Sequence, residues 1–540
     1  MTCFHRAKEL LCALLFLLTA AGDLIAPLPL VYSEPPDDTQ AKESETRAGI
    51  GLMQAVQVTL YRQPSVLIQQ QEVESSRGNL QAEAGAFDPA LTSSFNYQVN
   101  AQAPTEFQAQ QGIGDLTYTT TKSYIALQTK SRYGFTFGPR VGLNREHGMT
   151  DYLFPTSANR GTVAFSVNVP LLKGMGKEAA DADEMAAMET LEASTLDLEH
   201  TISQSVLNTT QAYWAYLGAV KSLQIFQREE ADAKKSFEDT RELVKGDEQP
   251  ASDLQTFAAN LAQKTSQRIN AEQRLFEARQ NLGLAMGLAY DAIDNLPLPE
   301  DPFPDPHGGE MPAVKMNPSA LFQESLSKRA DFRALKKREA AARILLVAAR
   351  KDTLPQLDVN AGIGYAGLEN GGEVKDYFKS LGDNLTGANY QAGIKFTYPF
   401  GNNEAEGRMV QRRSDLTKTF IQTRDLERKI NSGILVAVQA LWRTLRELRE
   451  TRTSIVHYTQ AVRNEEIKFS MGMASVLDVI NMQDRLRNVR LSEVNQMSKF
   501  AKAVVQLGYE TGTLVVADGD NYRIEMKNLT APWSVQGNRP

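Results

Sequence analysis

Two hydrophobic patterns alternate along this chain, and each occurs twice. Apolar residues at helical spacing fill a stretch from about Leu52 to Ala84 and another from about Pro318 to Arg350, each stopping shortly before a proline. A period-two segment follows: Leu91, Ser93, Phe95, Tyr97 and Val99 in the first case, Leu357, Val359, Ala361, Ile363 and Tyr365 in the second. Such alternation, rich in aromatic and β-branched residues and bounded by proline or glycine, predicts strands at about 91–101 and 356–366. Second strands are predicted at about 161–170 and 389–399, closed by Pro170 and Pro399.

Long helical stretches come next. From Glu178 to Val244 there is no proline and a single glycine, Gly218, and apolar residues recur at Leu198, Ile202, Val206, Tyr213, Leu217 and Val220. The later counterpart runs through Ile430, Ile434, Val438, Leu441, Leu445, Leu448 and Ile455. At 1.5 Å per residue such a helix is roughly 100 Å long. Turns are expected at Gly246 and Gly472, with return helices over about 252–286 and 476–510. The apolar stripe is narrow, which predicts antiparallel coiled-coil packing.

The same landmarks recur in the same order. Gln211-Ala212-Tyr213-Trp214 matches Gln439-Ala440-Leu441-Trp442, and Gly246 with Asp253-Leu254 matches Gly472 with Asp478-Val479. Phe87-Asp88-Pro89-Ala90-Leu91 aligns with Thr353-Leu354-Pro355-Gln356-Leu357, and Val169-Pro170-Leu171 with Tyr398-Pro399-Phe400. The chain therefore reads as one repeat over 51–295 and a second over 319–512. Between them lies a connector at 296–318, with six prolines between Pro297 and Pro312. The first repeat carries an insertion, Ala103 to Asn159, with strand-like sequence around Ser123 to Gln128 and Arg132 to Val141. It reads as an extra hairpin at about 116–145 extending from the outer side of the sheet. The sequence alone leaves open whether it joins the other strands.

Composition changes this picture in three places. Charged residues make up 23% of the 540 and hydrophobic ones 42%, excluding a disordered chain and a bundle of membrane helices. The net charge of −7, with Lys and Arg scattered among acids, argues against a nucleic-acid partner. Residues 1–22 read as a secretory signal: Arg6 and Lys8, an apolar run from Leu10 to Leu18, then small residues at Thr19 to Gly22, with a later cut after Ser33 also open. Both cysteines, Cys3 and Cys12, fall inside it, which leaves the exported chain without disulfides or thiolate sites. Residues 23–50 and 513–540 are expected to form a loose N-terminus and a polar tail. No helical stretch is apolar over the roughly 20 residues a membrane span needs, so crossing a membrane would fall to β-strands.

Isolated strand pairs leave open edges that must be paired, covered or closed into a barrel. Strands of roughly 9 to 11 residues fit a tilted membrane barrel, but such barrels need at least about 8. Four strands per chain cannot close one. In their order and duplication, the Pro-bounded strands, Pro170-Leu171-Leu172-Lys173-Gly174 and the Gly472-to-Asp478 turn resemble the TolC-type outer-membrane efflux family. The resemblance runs from about Leu52 to Gly512. It implies a fold that is mostly α with a β part: long antiparallel coiled-coil helices plus four transmembrane β-strands per protomer, forming a trimeric α/β-barrel channel. It further implies a homotrimer in outer-membrane lipid with a periplasmic extension. The implied partners are a periplasmic adaptor (membrane fusion) protein and an inner-membrane transporter. The implied role is the exit duct of a tripartite efflux pump or type I secretion system, with no enzyme activity and no cofactor.

The resemblance also carries residues. Phe469 to Asp478 is similar to the family's turn and the start of its aperture helix, placing Asp478 in a ring of carboxylates around the closed pore. The family's second acidic position is Asn481 here. Asp253 matches an aspartate that pairs with a tyrosine of the neighbouring turn in known members. The corresponding residue is Phe469, which has no hydroxyl to offer. Gly246, Gly472, Met473 and Ala474 take the place of adaptor-contact turns. On the residues alone, Asp253 and Asp478 also fit plain helix caps.

Other chemistry finds little support. Trp214 and Trp442 sit at matching places inside long helices and read as packing residues. Gly174-Met175-Gly176-Lys177 lacks the first glycine and the Ser or Thr of a nucleotide loop. Asp181-Ala182-Asp183-Glu184 reads as acids in a first helical turn rather than a calcium loop. The histidines show no metal-ligand spacing. A periplasmic coiled-coil structural or adhesive protein is the competing reading. It accounts for the helices but not for the duplicated strands.

Overall fold

A computed structural model of the chain describes residues 49–110, 116–148, 157–246, 250–304, 317–518 and 521–531. The signal sequence, both cysteines and most of the Pro-rich connector lie outside the described residues. The chain divides into two compact units. One takes in residues 78–188 and 340–417, and the other 49–77, 189–339 and 418–531 among the described residues.

The first unit is built on one antiparallel sheet. Its strands are β1 (Ala90–Gln102), β2 (Leu116–Lys130), β3 (Thr136–Gly148), β4 (Ser157–Pro170), β5 (Gln356–Asn370) and β6 (Asn389–Thr397). They are hydrogen-bonded in that order, each antiparallel to its neighbours. The sheet thus has six strands, not four. The hairpin, whose membership of the sheet the sequence left open, is inserted between β1 and β4. β2 pairs with the whole length of β1, from Leu116 to Gln128, and β3 with β4 from Thr136 to His147. The β2–β3 ladder is interrupted only where Gly138-Pro139 would pair, and proline has no N–H to offer.

The hairpin's turn is anchored beside the chain leaving β4. Arg132 makes a two-pronged bond to Glu184, both arms at 2.7 Å, and its guanidinium lies 4.8 Å from the centre of the Phe87 ring. The Gly176 N–H donates to the Tyr133 carbonyl at 3.0 Å. Gly134 has φ +97°, and a Cβ there would meet the Gly174 carbonyl oxygen at 2.1 Å. Only glycine fits this turn. Near the other end of the sheet, a short helix α7 (Val374–Lys379) packs over β3, β4 and β5. The Tyr377 hydroxyl donates to the Leu143 carbonyl and is 2.8 Å from the Ser123 hydroxyl.

The second unit is helical. Its opening stretch is expected as one helix but forms two, α1 (Leu52–Arg62) and α2 (Pro64–Ala84). Pro64 has no N–H to continue the ladder and suits the first position of a new helix. The later stretch breaks likewise, into α5 (Pro318–Lys328) and α6 (Ala330–Asp352), although no proline stands at the break. There the extended residue is Arg329, whose guanidinium bridges Asp331 (2.8 Å) and Glu510 (2.7 Å) and stacks on Tyr509. Both opening helices have 11 residues.

Long helices follow in both halves: α3 (Ala182–Lys245) and α4 (Ala251–Met286), then α8 (Asn403–Ser470) and α9 (Val476–Glu510). Two apolar clusters hold the second unit together. One gathers Leu52, Val56, Tyr213, Trp214, Leu217, Leu282 and Met286, and the other Ile430, Ile434, Leu441, Phe500, Val504 and Leu507. Trp214 is fully buried against Tyr213 and Phe303, and Trp442 packs on the edge of the second cluster. The start of the connector is fixed as well. Leu298–Pro299 pair in parallel with Gly49–Ile50, and the Leu52 N–H donates to Asp301. The described parts of the C-terminal tail, residues 513–518 and 521–531, are packed. Leu514, Val515 and Leu529 bury against the first cluster, and Asn528 donates to the Thr513 carbonyl. Their apolar side chains stabilise this packing despite the polar residues between them.

Candidate functional site

The site residues expected from sequence fall on two helical turns of the second unit. The α8-to-α9 turn is built by its end caps. Gly472 takes the left-handed conformation, φ +71°, its N–H donates to the Phe469 carbonyl at 2.9 Å, and the Met473 N–H reaches back to Lys468 at 2.9 Å. This is the Schellman arrangement, which glycine adopts without a Cβ clash. Three residues on, Ser475 opens α9 with a capping box. The Asp478 N–H donates to the Ser475 hydroxyl at 3.2 Å, while the Ser475 N–H and hydroxyl both donate to the Asp478 carboxylate, at 3.0 and 2.6 Å.

Asp478 is therefore a helix-capping carboxylate, and it is exposed. Hydrogen bonds from Ser475, with Lys468 nearby, hold its carboxyl below the ordinary range. Asn481 stands one turn further along α9 and is also exposed. The surface of this turn is unusually apolar: Met471, Met473 and Leu477 are exposed by 64%, 67% and 57%. Ala474 lies among them, half-buried.

The α3-to-α4 turn is built differently. The Gly246 N–H donates to Glu242, but Gly246 is not left-handed, and Pro250 caps α4 without a side-chain hydrogen bond. Asp253 occupies the third position of α4, where a carboxylate favours the helix dipole. Among the described residues no hydrogen bond or ion pair joins Asp253 to Phe469 or Asp478. Phe469 is half-buried in the last turn of α8.

A charged cluster that the sequence did not single out lies further along these helices. Lys264 of α4 is 4% exposed, bonds Asp484 of α9 and reaches Glu229 of α3 at 3.5 Å. Arg487 joins it through Asp484 (2.9 Å) and Gln267 (3.0 Å). Burial raises the Glu229 carboxyl above its ordinary range, opposed by Lys264 and Arg487. Lys264 sits in an otherwise solvated-looking helix face, and only the three-helix contact reveals its burial. Among the described residues, no group of three His, Asp, Glu or Cys could hold a metal ion. No described helix is long and apolar enough to cross a membrane.

Comparison with known proteins places this geometry. Residues 321–513 match the family model described as outer membrane efflux protein. The outer membrane protein TolC of Vibrio cholerae serotype O1 (strain ATCC 39315 / El Tor Inaba N16961) is 20% identical over 351 residues, which cover 63% of this chain and 76% of that protein. The fold is that of the Campylobacter jejuni CmeC outer membrane channel, with TM-score 0.62 and 14% identity, covering 86% of this chain and 85% of that one. It is equally that of the outer membrane protein VceC from Vibrio cholerae, with TM-score 0.61 and 14% identity, covering 85% and 96%.

Proposed function

We infer that this chain, a member of the TolC-like outer-membrane efflux protein family, is an outer-membrane channel that serves as the exit duct of an efflux pump. It belongs in the outer membrane with a periplasmic extension. The observation that carries the reading is the two-sidedness of the sheet. Cross-strand registers put Phe95, Tyr97, Ile125, Leu127, Val141, Leu143, Val163, Phe165, Ile363, Tyr390, Ile394 and Phe396 on one face. The other face carries Asn96, Gln98, Thr120, Asn144, Ser166, Asn360 and Gln391. Away from the end that α7 covers, where Arg145, Asn159 and Glu369 share the first face, one face suits lipid and the other water, as a membrane barrel requires.

The ends of the sheet support assembly from several copies. β1 and β6 are open edges, with Phe95 73% and Tyr390 79% exposed. With six strands alternating in direction, β1 runs antiparallel to β6, so β6 of one copy can extend the ladder of the next. A homotrimer closed in this way is the assembly we propose. The matching 11-residue opening helices, each followed by a break, a second helix and a strand, support descent of the two halves from one repeat. The exposed Met471, Met473 and Leu477, with Gly472 and Ala474, suit contact with an adaptor protein, which would link the duct to an inner-membrane transporter. Gly246 and its neighbours would form the second contact. Asp478, Asn481 and Phe469 on the α8-to-α9 turn and Asp253 on the α3-to-α4 turn are assigned to the aperture.

Membrane fractionation followed by mass measurement in detergent tests this reading. The chain is expected in the outer-membrane fraction as three copies. Recovery in the aqueous extract would favour the coiled-coil structural protein instead, because an apolar sheet face of this extent needs lipid or detergent.

A further inference from the structure

The hairpin β2–β3 is the feature that sets this sheet apart from the four strands expected, and its polar face is basic. Counting the polar face of all six strands, the cations are Lys122, Lys130, Arg140, Arg160 and Lys395, and the carboxylates are Glu146 and Asp358. Without the hairpin the face would carry Arg160 and Lys395 against Asp358, an excess of one. The hairpin adds Lys122, Lys130 and Arg140 against Glu146, raising the excess to three. Asp358 lies directly across from Lys395 and offsets it. Glu146 accepts a hydrogen bond from Asn144 at the margin of the basic band.

Three of the remaining cations form a belt, and the fourth, Lys130, stands apart from it beside the hairpin turn, over the Phe87 ring. Lys122 and Arg160 share one cross-strand row, both paired to Asn144, and Arg140 lies four residues along the ladder, opposite Ala126. At about 3.3 Å per residue the belt is about 13 Å deep. Lys122, Arg140 and Arg160 are all exposed. The Arg140 guanidinium sits 4.0 Å from the centre of the Tyr124 ring, which holds it on this face.

We propose that β2 and β3 are part of the barrel wall and that Lys122, Arg140 and Arg160 line the outer-membrane pore with a basic belt that favours anionic cargo. The inference rests on the duct reading. In a trimer it gives eighteen strands where four per chain would give twelve. Because barrel diameter grows roughly linearly with strand number, the pore is about one and a half times as wide, with an aqueous lumen. Solutes bearing carboxylate or phosphate groups are concentrated by such a belt, and cationic ones are held back. A wide pore is screened at its axis once the Debye length falls to about 10 Å near 0.1 M salt, so the effect is strongest in dilute salt.

Reversal potentials across planar bilayers under a dilute KCl gradient test this directly. Introduced into Asp478→Asn channels, which lack the aperture carboxylate, the triple variant Lys122→Gln/Arg140→Gln/Arg160→Gln is expected to lower the anion-to-cation permeability ratio on the order of tenfold in dilute salt. Cys3 and Cys12, the only cysteines in the chain, fall within the signal sequence, so exported single-cysteine variants give a second reading that survives any folding defect in the triple variant. Current through Lys122→Cys channels is expected to change on adding a charged, water-soluble methanethiosulfonate, while Ile125→Cys channels stay unchanged. An unchanged permeability ratio would overturn the selectivity assignment. Unreactive Lys122→Cys channels would show that the hairpin does not line the lumen. Absence of channels in every form would overturn the duct reading itself, and this inference with it.

Discussion

Replacing Lys264 by Met isolates the contribution of the buried charge cluster. Methionine keeps most of the side-chain volume, so the cavity cost is small and the lost cation dominates. Asp484 retains Arg487 at 2.9 Å, whereas Glu229 loses the cation it contacts directly. Breaking one side of a buried pair costs about 3–5 kcal/mol, and the survival of Arg487 puts this case near about 3 kcal/mol. With an unfolding entropy near 2.1 cal/mol/K per residue, a chain of this size loses about 3 °C in midpoint if it unfolds as one unit. The pH dependence has a definite sign. The folded-state carboxyl of Glu229 lies above its unfolded value, so the folded state binds the extra proton. Its contribution to stability is therefore greatest below the unfolded carboxyl range and is lost as pH rises through the folded value. Removing Lys264 raises that value further, so the deficit of the variant is expected to shrink between pH 7.5 and pH 5. Lys264→Met/Glu229→Gln is expected to recover most of it at both. Thermal unfolding in detergent, followed by far-ultraviolet circular dichroism, reads these shifts. A Lys264→Met midpoint unchanged at both pH values would refute the reasoning.

Three further outcomes follow from the geometry. Arg329→Met strands Asp331 and Glu510, for a loss of about 3–5 kcal/mol in thermal unfolding. In the unsubstituted chain Arg329 and a bond from the Phe332 N–H hold the Asp331 carboxyl below its ordinary range, so its stabilisation is present at neutral pH and lost as pH falls through the folded value. Gly134→Val puts a side chain against the Gly174 carbonyl at a positive φ; strain of about 1–3 kcal/mol should make the hairpin turn the first site cut in limited proteolysis. Asp478→Asn is expected to reduce cation preference at the aperture, whereas Ser475→Ala, which removes the cap and keeps the carboxylate, leaves it in place. Identical currents from the two would reduce Asp478 to a capping role.

Much of this architecture is legible in the sequence because it is local. Alternation at Leu91–Val99 and Leu357–Tyr365 marks strands without reference to any partner, and Gly472 with Ser475 and Asp478 spells a helix end and a helix start. The break after Arg62 is foreshadowed by Pro64. The break at Arg329 is not, because it depends on Glu510, 181 residues away. The hairpin's strands are visible in Ser123–Gln128 and Arg132–Val141, but their place between β1 and β4 depends on long-range pairing that no local pattern encodes. Lys264 looks like any solvated helix charge until Glu229 and Asp484 converge on it. The aperture role of Asp478 is legible only through the resemblance of its turn to the family's, whereas its capping of α9 is local.

Single-channel recording of the purified protein in planar bilayers tests the central claim most directly. The account predicts discrete, long-lived conductance steps from a protein extracted from the outer membrane as three copies. A protein that never inserts, and stays in aqueous solution without detergent, would contradict it.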